Sequence, residues 1–458
     1  MPHDILGNPV SAMRDTTLRA LDDFIEGYLA YETRAERIIA AAQAEPGCCL
    51  ANVYAGFLWM FLEAPDAASR AAPYLAAAQR AAPGSTPREQ LNTALLGAWA
   101  AQDLGEMLRL SDHISDHFPR DLVVVKTHQY FEFNRGDFPA MLRIAVKVLT
   151  RNADISYMHG MAAFAYEQCH LLEEAESAAR TALELRPKEP WAQHALAHVM
   201  LTRGRIDEGA RFLEEVGTTW TGLNSFMLTH LWWHLALFYI SQGRRASVLD
   251  IYDRHCWAAV RSYSQDQIGA VSLLARMELA GIDVGGRWQD LGEHLAARAH
   301  DTVLPFLSMQ YLYGLARAGR PEADALLGSI RNAAELAPGH AREVWRDVAL
   351  PACEGLHAYA RRDFDTAWRR LSLAMPRVIE AGGSHAQRDL FEQILLDAAI
   401  QSGRLAPAQH SLELRRIADP GSVPVNCALA EVYGRLGLPQ LADRARGRAA
   451  STRARHPD

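Results

Sequence analysis

Two pairs of histidines have the type and spacing from which a reactive site can be built. His194 and His198 lie in Trp191-Ala-Gln-His-Ala-Leu-Ala-His198, and His230 and His234 bound His230-Leu-Trp-Trp-His234. Each pair reads HxxxH. On a helix, one turn separates the two imidazoles, which then share a face. Neutral imidazole is the commonest transition-metal ligand, and two such pairs on neighbouring helices make a three- or four-nitrogen site. The zinc-protease pattern HExxH is absent, because position 195 is Ala. The plainer reading is a groove whose histidines bind a peptide carboxylate or pack on Trp232 and Trp233.

Further polar residues are candidates for the same space. Glu167 is expected in the catalytic role, as a general base, a ligand or an acceptor for a histidine N–H. Lys126 and Tyr130 fall at groove positions of an earlier segment and are expected to meet substrate. His128 falls at a core-facing position and Asp253 on a second helix, so both are expected to support the site from behind. The segment Gly382-Gly-Ser-His-Ala-Gln-Arg-Asp389 opens a helix. Gly383 can take a positive φ, and Ser384 is a good N-cap. Such a helix start receives anions, and Arg388 can clamp a carboxylate or phosphate. The alternative is an ordinary cap with an Arg388–Asp389 surface pair.

These residues must be positioned by helices. Ala, Leu, Arg and Glu dominate the 458 residues, and β-branched runs are scarce. Apolar residues recur at i, i+3, i+4 and i+7 from Leu18 to Ala449. The breaks, such as Pro83-Gly84-Ser85, Pro187 to Pro190 and Pro420-Gly421, read as helix stops and caps. They recur with a period near 34, the length of the tetratricopeptide repeat. The clearest repeats are 156–189, 190–228 and 229–262. In the first, Ala163 and Ala175 occupy the small positions that let two antiparallel helices approach, and Pro187 stops the second helix. The expected fold is therefore all-α: one tetratricopeptide-like α-solenoid over 1–458, a superhelical array of antiparallel helix pairs with loose termini at 1–17 and 451–458. Consecutive repeats place the two histidine helices side by side, facing the concave channel.

Composition narrows the function. The net charge of −7 argues against partners held by charge alone, such as nucleic acid or a membrane surface. No apolar run reaches a membrane span, and Met1 to Arg34 has no signal-peptide core. None of the six cysteines forms a CxxC pair, which suits a reducing, cytoplasmic setting. Phosphate-loop, dinucleotide, kinase and serine-hydrolase signatures are all missing.

Six segments carry a family resemblance: Pro87-Arg-Glu-Gln-Leu91, Trp191 to His198, His230 to Asp253, Gly285-Gly-Arg-Trp288, Arg346-Asp-Val-Ala-Leu-Pro351 and Gly382 to Phe391. In these segments, and in their order, the chain resembles the tetratricopeptide repeat protein 38 family. The resemblance implies a soluble α-solenoid. It carries over His194, His198, His230, His234, Gln387, Arg388 and Asp389. Through bacterial relatives it points to small-molecule biosynthesis of the toxoflavin-like azapteridine kind. Two departures stand out: Leu201 where relatives tend to have Glu, and Ser308-Met309-Gln310 where they tend to have a histidine.

Two functions of different class follow. One is a metal-dependent enzyme, with an oxidative step among its chemistries, acting on a small anionic or heterocyclic molecule. Its cofactor would be a divalent transition metal, with Zn, Fe, Co, Mn and Ni all open. The other is a non-catalytic interaction scaffold with a protein partner. A homodimer is compatible with either.

Overall fold

The computed structural model describes residues 1–458, the side chain of His340 excepted. Helices follow one another from Asp15 to Arg455. The isolated bridges His3–Pro9 and Glu32–Leu223 are the only extended pairings among the described residues. The fold is all-α, a tetratricopeptide-like helical-repeat solenoid, as the hydrophobic period requires. Among the described residues no helix is long and apolar enough to cross a membrane.

The chain forms two compact units. The first comprises residues 1–133, 137–196 and 219–227, the second 134–136, 197–218 and 228–458. Two continuous helices, Pro190–Thr202 and Ser225–Gln242, contribute residues to both.

In the first unit the pair Ser156–Gln168 and Leu172–Leu185 shows why the repeat forms. Ala162, Ala163 and Ala165 on one helix and Ala175, Ala179 and Ala182 on the other are all fully buried. Side chains this small let the helices approach along their whole length. Pro87–Ala100 starts on a full capping box: Thr86 Oγ1 accepts from Glu89 N, Glu89 Oε2 accepts from Thr86 N, and Pro87 occupies the first turn. The segment 1–17, expected to be loose, makes contacts with this helix. Arg88 is 1% exposed and donates to Asp4 Oδ2 at 3.0 Å and Asp121 Oδ2 at 3.1 Å, so the N-terminal segment is tied by a buried charge.

In the second unit the last helices return to the first ones. Ser241 Oγ donates to Asp419, and Ala246 N donates to Asp458 Oδ1 at 3.0 Å. Gly204 turns with φ +66° directly against the carbonyl of Ala418, where no side chain would fit. His456 Nε2 lies 3.1 Å from Asp207 Oδ1. Residues 451–458, expected to be loose, thus make contacts with earlier helices of this unit.

The third expected repeat starts early. Its first helix begins at Ser225 rather than Thr229, because Asn224 Oδ1 accepts from Met227 N at 3.0 Å and caps it there. The resulting helix has 18 residues and is apolar on nearly every side: Leu231, Trp233, Leu235, Ala236 and Phe238 are all buried. An all-round apolar helix belongs in a core, not on a surface.

Candidate metal centre

The first histidine helix, Pro190–Thr202, is set by its cap. The Glu189 carboxylate accepts from Trp191 N at 3.3 Å and also from Ala192 N. One turn later His194 is 1% exposed and stacks on Trp191, with ring centroids 4.5 Å apart. One further turn on is His198, fully buried. Burial raises the Glu189 carboxyl to about 7, against the opposing pull of its backbone donors and of Lys126. The folded chain thus keeps a proton that the unfolded chain loses above about 4.5. Fewer protons bound in the unfolded state means stability falls as pH rises through that window. Glu189→Gln should remove about 3 kcal/mol of this loss. Urea unfolding of both forms between those two pH values checks it; Lys126, Arg186 and Tyr157, which also face Glu189, are common to both forms.

The second histidine helix, Ser225–Gln242, carries His230 and His234. Their Nε2 atoms are 3.3 Å apart and their rings are nearly perpendicular, at 87°. His234 is fully buried, and its ring centroid lies 4.5 Å from that of His198. His230 stacks in parallel on Trp233 at 7°. Loss of hydration, with His198 beside it, pushes His230 down to about 3. It is a neutral imidazole at any ordinary pH, the form that binds metals. His194, His198, His230 and His234 each offer one ring nitrogen, and these atoms lie within 4.8 Å of one another. This buried histidine group could hold a metal ion.

The spacing supports the fit. Ligand nitrogens about 2.0–2.1 Å from a tetrahedral ion lie about 3.3–3.4 Å from each other. The His230–His234 separation of 3.3 Å is that edge length.

A further imidazole meets His198 from far along the chain. His385 is the first residue of the helix His385–Gln401, and its Nε2 lies 3.5 Å from His198 Nδ1. The capping box at Ser384 forms as its sequence implies: Ser384 Oγ accepts from Gln387 N at 3.2 Å, and Gln387 Oε1 from Ser384 N at 2.9 Å. Gly383 takes φ +78° and lies against the Phe306 ring. The sequence marked this helix start but not His385 itself. The only available signal was its place at the first helical position of a capping box.

The other candidates are placed as follows. Glu167 is fully buried in the first unit and accepts from Gln168 Nε2 at 2.6 Å. Lys126 is spoken for: its ammonium donates to the carbonyls of Tyr28 and Leu29, each at 2.9 Å, so it closes the end of the helix Asp15–Leu29. It also lies 3.4 Å over the Tyr31 ring, and burial pushes its pKa well down. Tyr130 donates to Glu63 Oε1 at 2.9 Å. His128 is a core histidine, 1% exposed, with Glu132 3.4 Å away on its own helix. Asp253 does not back the histidines: it is exposed and forms a two-pronged pair with Arg287 at 2.8 and 2.6 Å. Arg388 is 7% exposed and donates to Gly383 O. The Arg388–Asp389 surface pair is not what Asp389 makes; it accepts from Arg415 at 2.6 Å.

No protein-family model matches the chain. Among solved structures it is similar to the human IFIT1 dimer with PPP-AAAA, at 13% identity over 94% of this chain and 95% of that chain, with a TM-score of 0.42. It is also similar to the P58(IPK) TPR domain, at 13% identity over 81% of this chain and 94% of that one, TM-score 0.23. Yeast Tom70 matches at 11% identity over 80% and 92%, TM-score 0.24. The likeness concerns helical-repeat architecture and carries no activity or ligand.

Proposed function

We propose that His194, His198, His230 and His234 hold a divalent transition metal, and that the protein is a metal-dependent enzyme acting on a small polar molecule. The observation that carries this reading is the nitrogen spacing within a buried histidine set. Such an ion, when bound, supplies a Lewis acid or a redox centre. An all-imidazole set admits Zn, Fe, Co, Mn or Ni.

The electrostatics point to the substrate class. Four neutral imidazoles cancel none of the charge of a dication. A buried net charge demands a counter-charge, so the ligand completing the site is anionic or an ionisable heterocycle. The helix start at Ser384 favours the same sign. Arg388 braces Gly383 and, in this reading, helps seat the anionic group. Glu167 is assigned the proton transfer, because a fully buried carboxylate is the kind of group whose proton affinity is tuned for such work. The same reading extends to an oxidative step in small-molecule biosynthesis, which the redox-active ions among these would serve. Six unpaired thiols support a reducing, cytoplasmic setting.

A peptide-binding scaffold has less support, since His198 and His234 are fully buried and offer no groove surface. Elemental analysis of the purified protein tests the proposal. The expected result is about one equivalent of metal per chain, lost in His198→Ala and His234→Ala. Metal content that is absent, or that survives both substitutions, would falsify it.

A further inference from the structure

The second unit holds a cleft lined by none of the histidines described above. Four helices enclose it: Ser264–Leu279, Pro305–Arg317, Leu350–Ala360 and His385–Gln401. Each packs on the next, and the last returns to the first. The cleft lies toward their C-terminal ends and has a volume of about 290 Å³, the small end of the range for ligand sites. We infer that it binds a small zwitterion of the α-amino acid class, held by one carboxylate and one guanidinium that the fold leaves unpaired. The inference needs neither the metal nor the reaction proposed above.

The charges of the lining decide the ligand's charge. Arg317 Nη2 donates to Glu278 Oε1 at 2.5 Å, so these two cancel each other. Asp397 makes no ion pair among the described residues. Its Oδ2 accepts from the Tyr359 hydroxyl at 2.6 Å, and its Oδ1 from Gln401 Nε2 at 3.3 Å. Arg362 makes no ion pair among them either. Its guanidinium stands over the Phe364 ring, 5.8 Å from the centroid. Asp397 and Arg362 sum to zero, so a ligand that answers both carries an ammonium, an anionic group and no net charge. The converging helix ends add partial negative charge, which favours the ammonium beside Asp397.

Tyr313 offers a polar group that the protein itself does not use. It is 2% exposed and lines the cleft, yet its hydroxyl has no hydrogen-bond partner among the described residues. Burial pushes its pKa up, so it remains an O–H donor at any ordinary pH. A buried donor without a partner is costly, and an acceptor oxygen on a bound ligand removes that cost.

An aromatic wall completes the site. The Tyr313 and Tyr359 rings lie 6.3 Å apart between centroids, and those of Tyr359 and Phe364 lie 5.6 Å apart. Such a wall receives the body of the ligand and selects apolar or aromatic side chains.

The backbone at Arg362 points the same way. Arg362 turns with φ +64°, whereas the turns after the other three helices use Gly281, Gly319 and Gly403, at φ +73°, +68° and +82°. Glycine takes this conformation without steric cost, and arginine does not. The chain therefore keeps a charged side chain where its neighbouring repeats have none.

Ligand titration of the full chain tests the inference. Melting temperature is measured with each of the common L-amino acids in turn, and the one giving the largest rise is titrated by calorimetry. An apolar or aromatic amino acid is expected to give that rise. Its N-acetyl and amide derivatives, each lacking one charge, should bind at least about tenfold more weakly. Asp397→Asn and Arg362→Gly should each weaken binding about tenfold, and Tyr313→Phe about fivefold. Arg362→Gly installs the residue that the neighbouring turns carry, so it reports on binding even if the other variants fail to fold. The inference is overturned if no amino acid raises the melting temperature. It is equally overturned if the derivatives bind like the parent, or if Arg362→Gly binds like wild type.

Discussion

Arg88→Met should cost the first unit about 3–5 kcal/mol, because it strands two carboxylates in a dry interior. Arg88, Asp4 and Asp121 are all at most 1% exposed at the side chain. Asp121 has some relief, since Asn92 Nδ2 donates to it at 3.1 Å and Val124 N at 3.3 Å. Asp4 keeps its contacts within the loop, chiefly Asn8 N at 2.9 Å. Burial already raises the Asp4 pKa despite the arginine, so without Arg88 it should take up a proton as folding's cheapest remedy. Two results check the account. The segment before Asp15 should become sensitive to protease, and the added substitutions Asp4→Asn and Asp121→Asn should recover part of the loss. A variant that unfolds like wild type would show that the buried charge network does not hold the N-terminal segment.

Gly383→Ala should lose about 2–4 kcal/mol from the second unit, the sum of a left-handed backbone cost and a clash with the Phe306 ring. Gly403 provides the control. It has a similar φ of +82° but nothing within 4 Å of an added methyl, so Gly403→Ala should pay only the backbone part, about 1 kcal/mol. The difference between the two variants in urea unfolding isolates the clash. If they lose the same amount, the close approach to Phe306 has no energetic weight.

Much of this was legible in the sequence because it is written locally. The helix start at Ser384, the helix stop at Pro187 and the small alanines of residues 156–189 each depend on residues a few positions apart. The HxxxH spacing likewise fixes which imidazoles share a turn. What remained hidden depends on how successive helix pairs tilt. Small angles add over many repeats, and no single residue declares their sum. Thus the helix of His385 was marked as a helix start, yet its meeting with His198 could not be read. Lys126 went astray for a related reason: its position in the repeat suggested a groove, but the partners that claim it, the carbonyls of Tyr28 and Leu29, belong to a helix nearly a hundred residues earlier. The contacts of the terminal segments were equally hidden, because Asp4 and Asp458 are unremarkable until their partners are known.

The return of the C-terminal helices onto Gly204, Ser241 and Ala246 changes how this part of the chain can evolve and fold. An open array tolerates the gain or loss of a repeat, because each unit answers only to its neighbours. Here the bond between Ala246 and Asp458 spans 212 residues. Duplicating or deleting one internal repeat would carry the last helix past its seat, so the repeat number is frozen by geometry. The same closure makes assembly non-local: the final helices must be synthesised before the first can be sealed, which predicts slower, more cooperative folding than the helical content alone suggests.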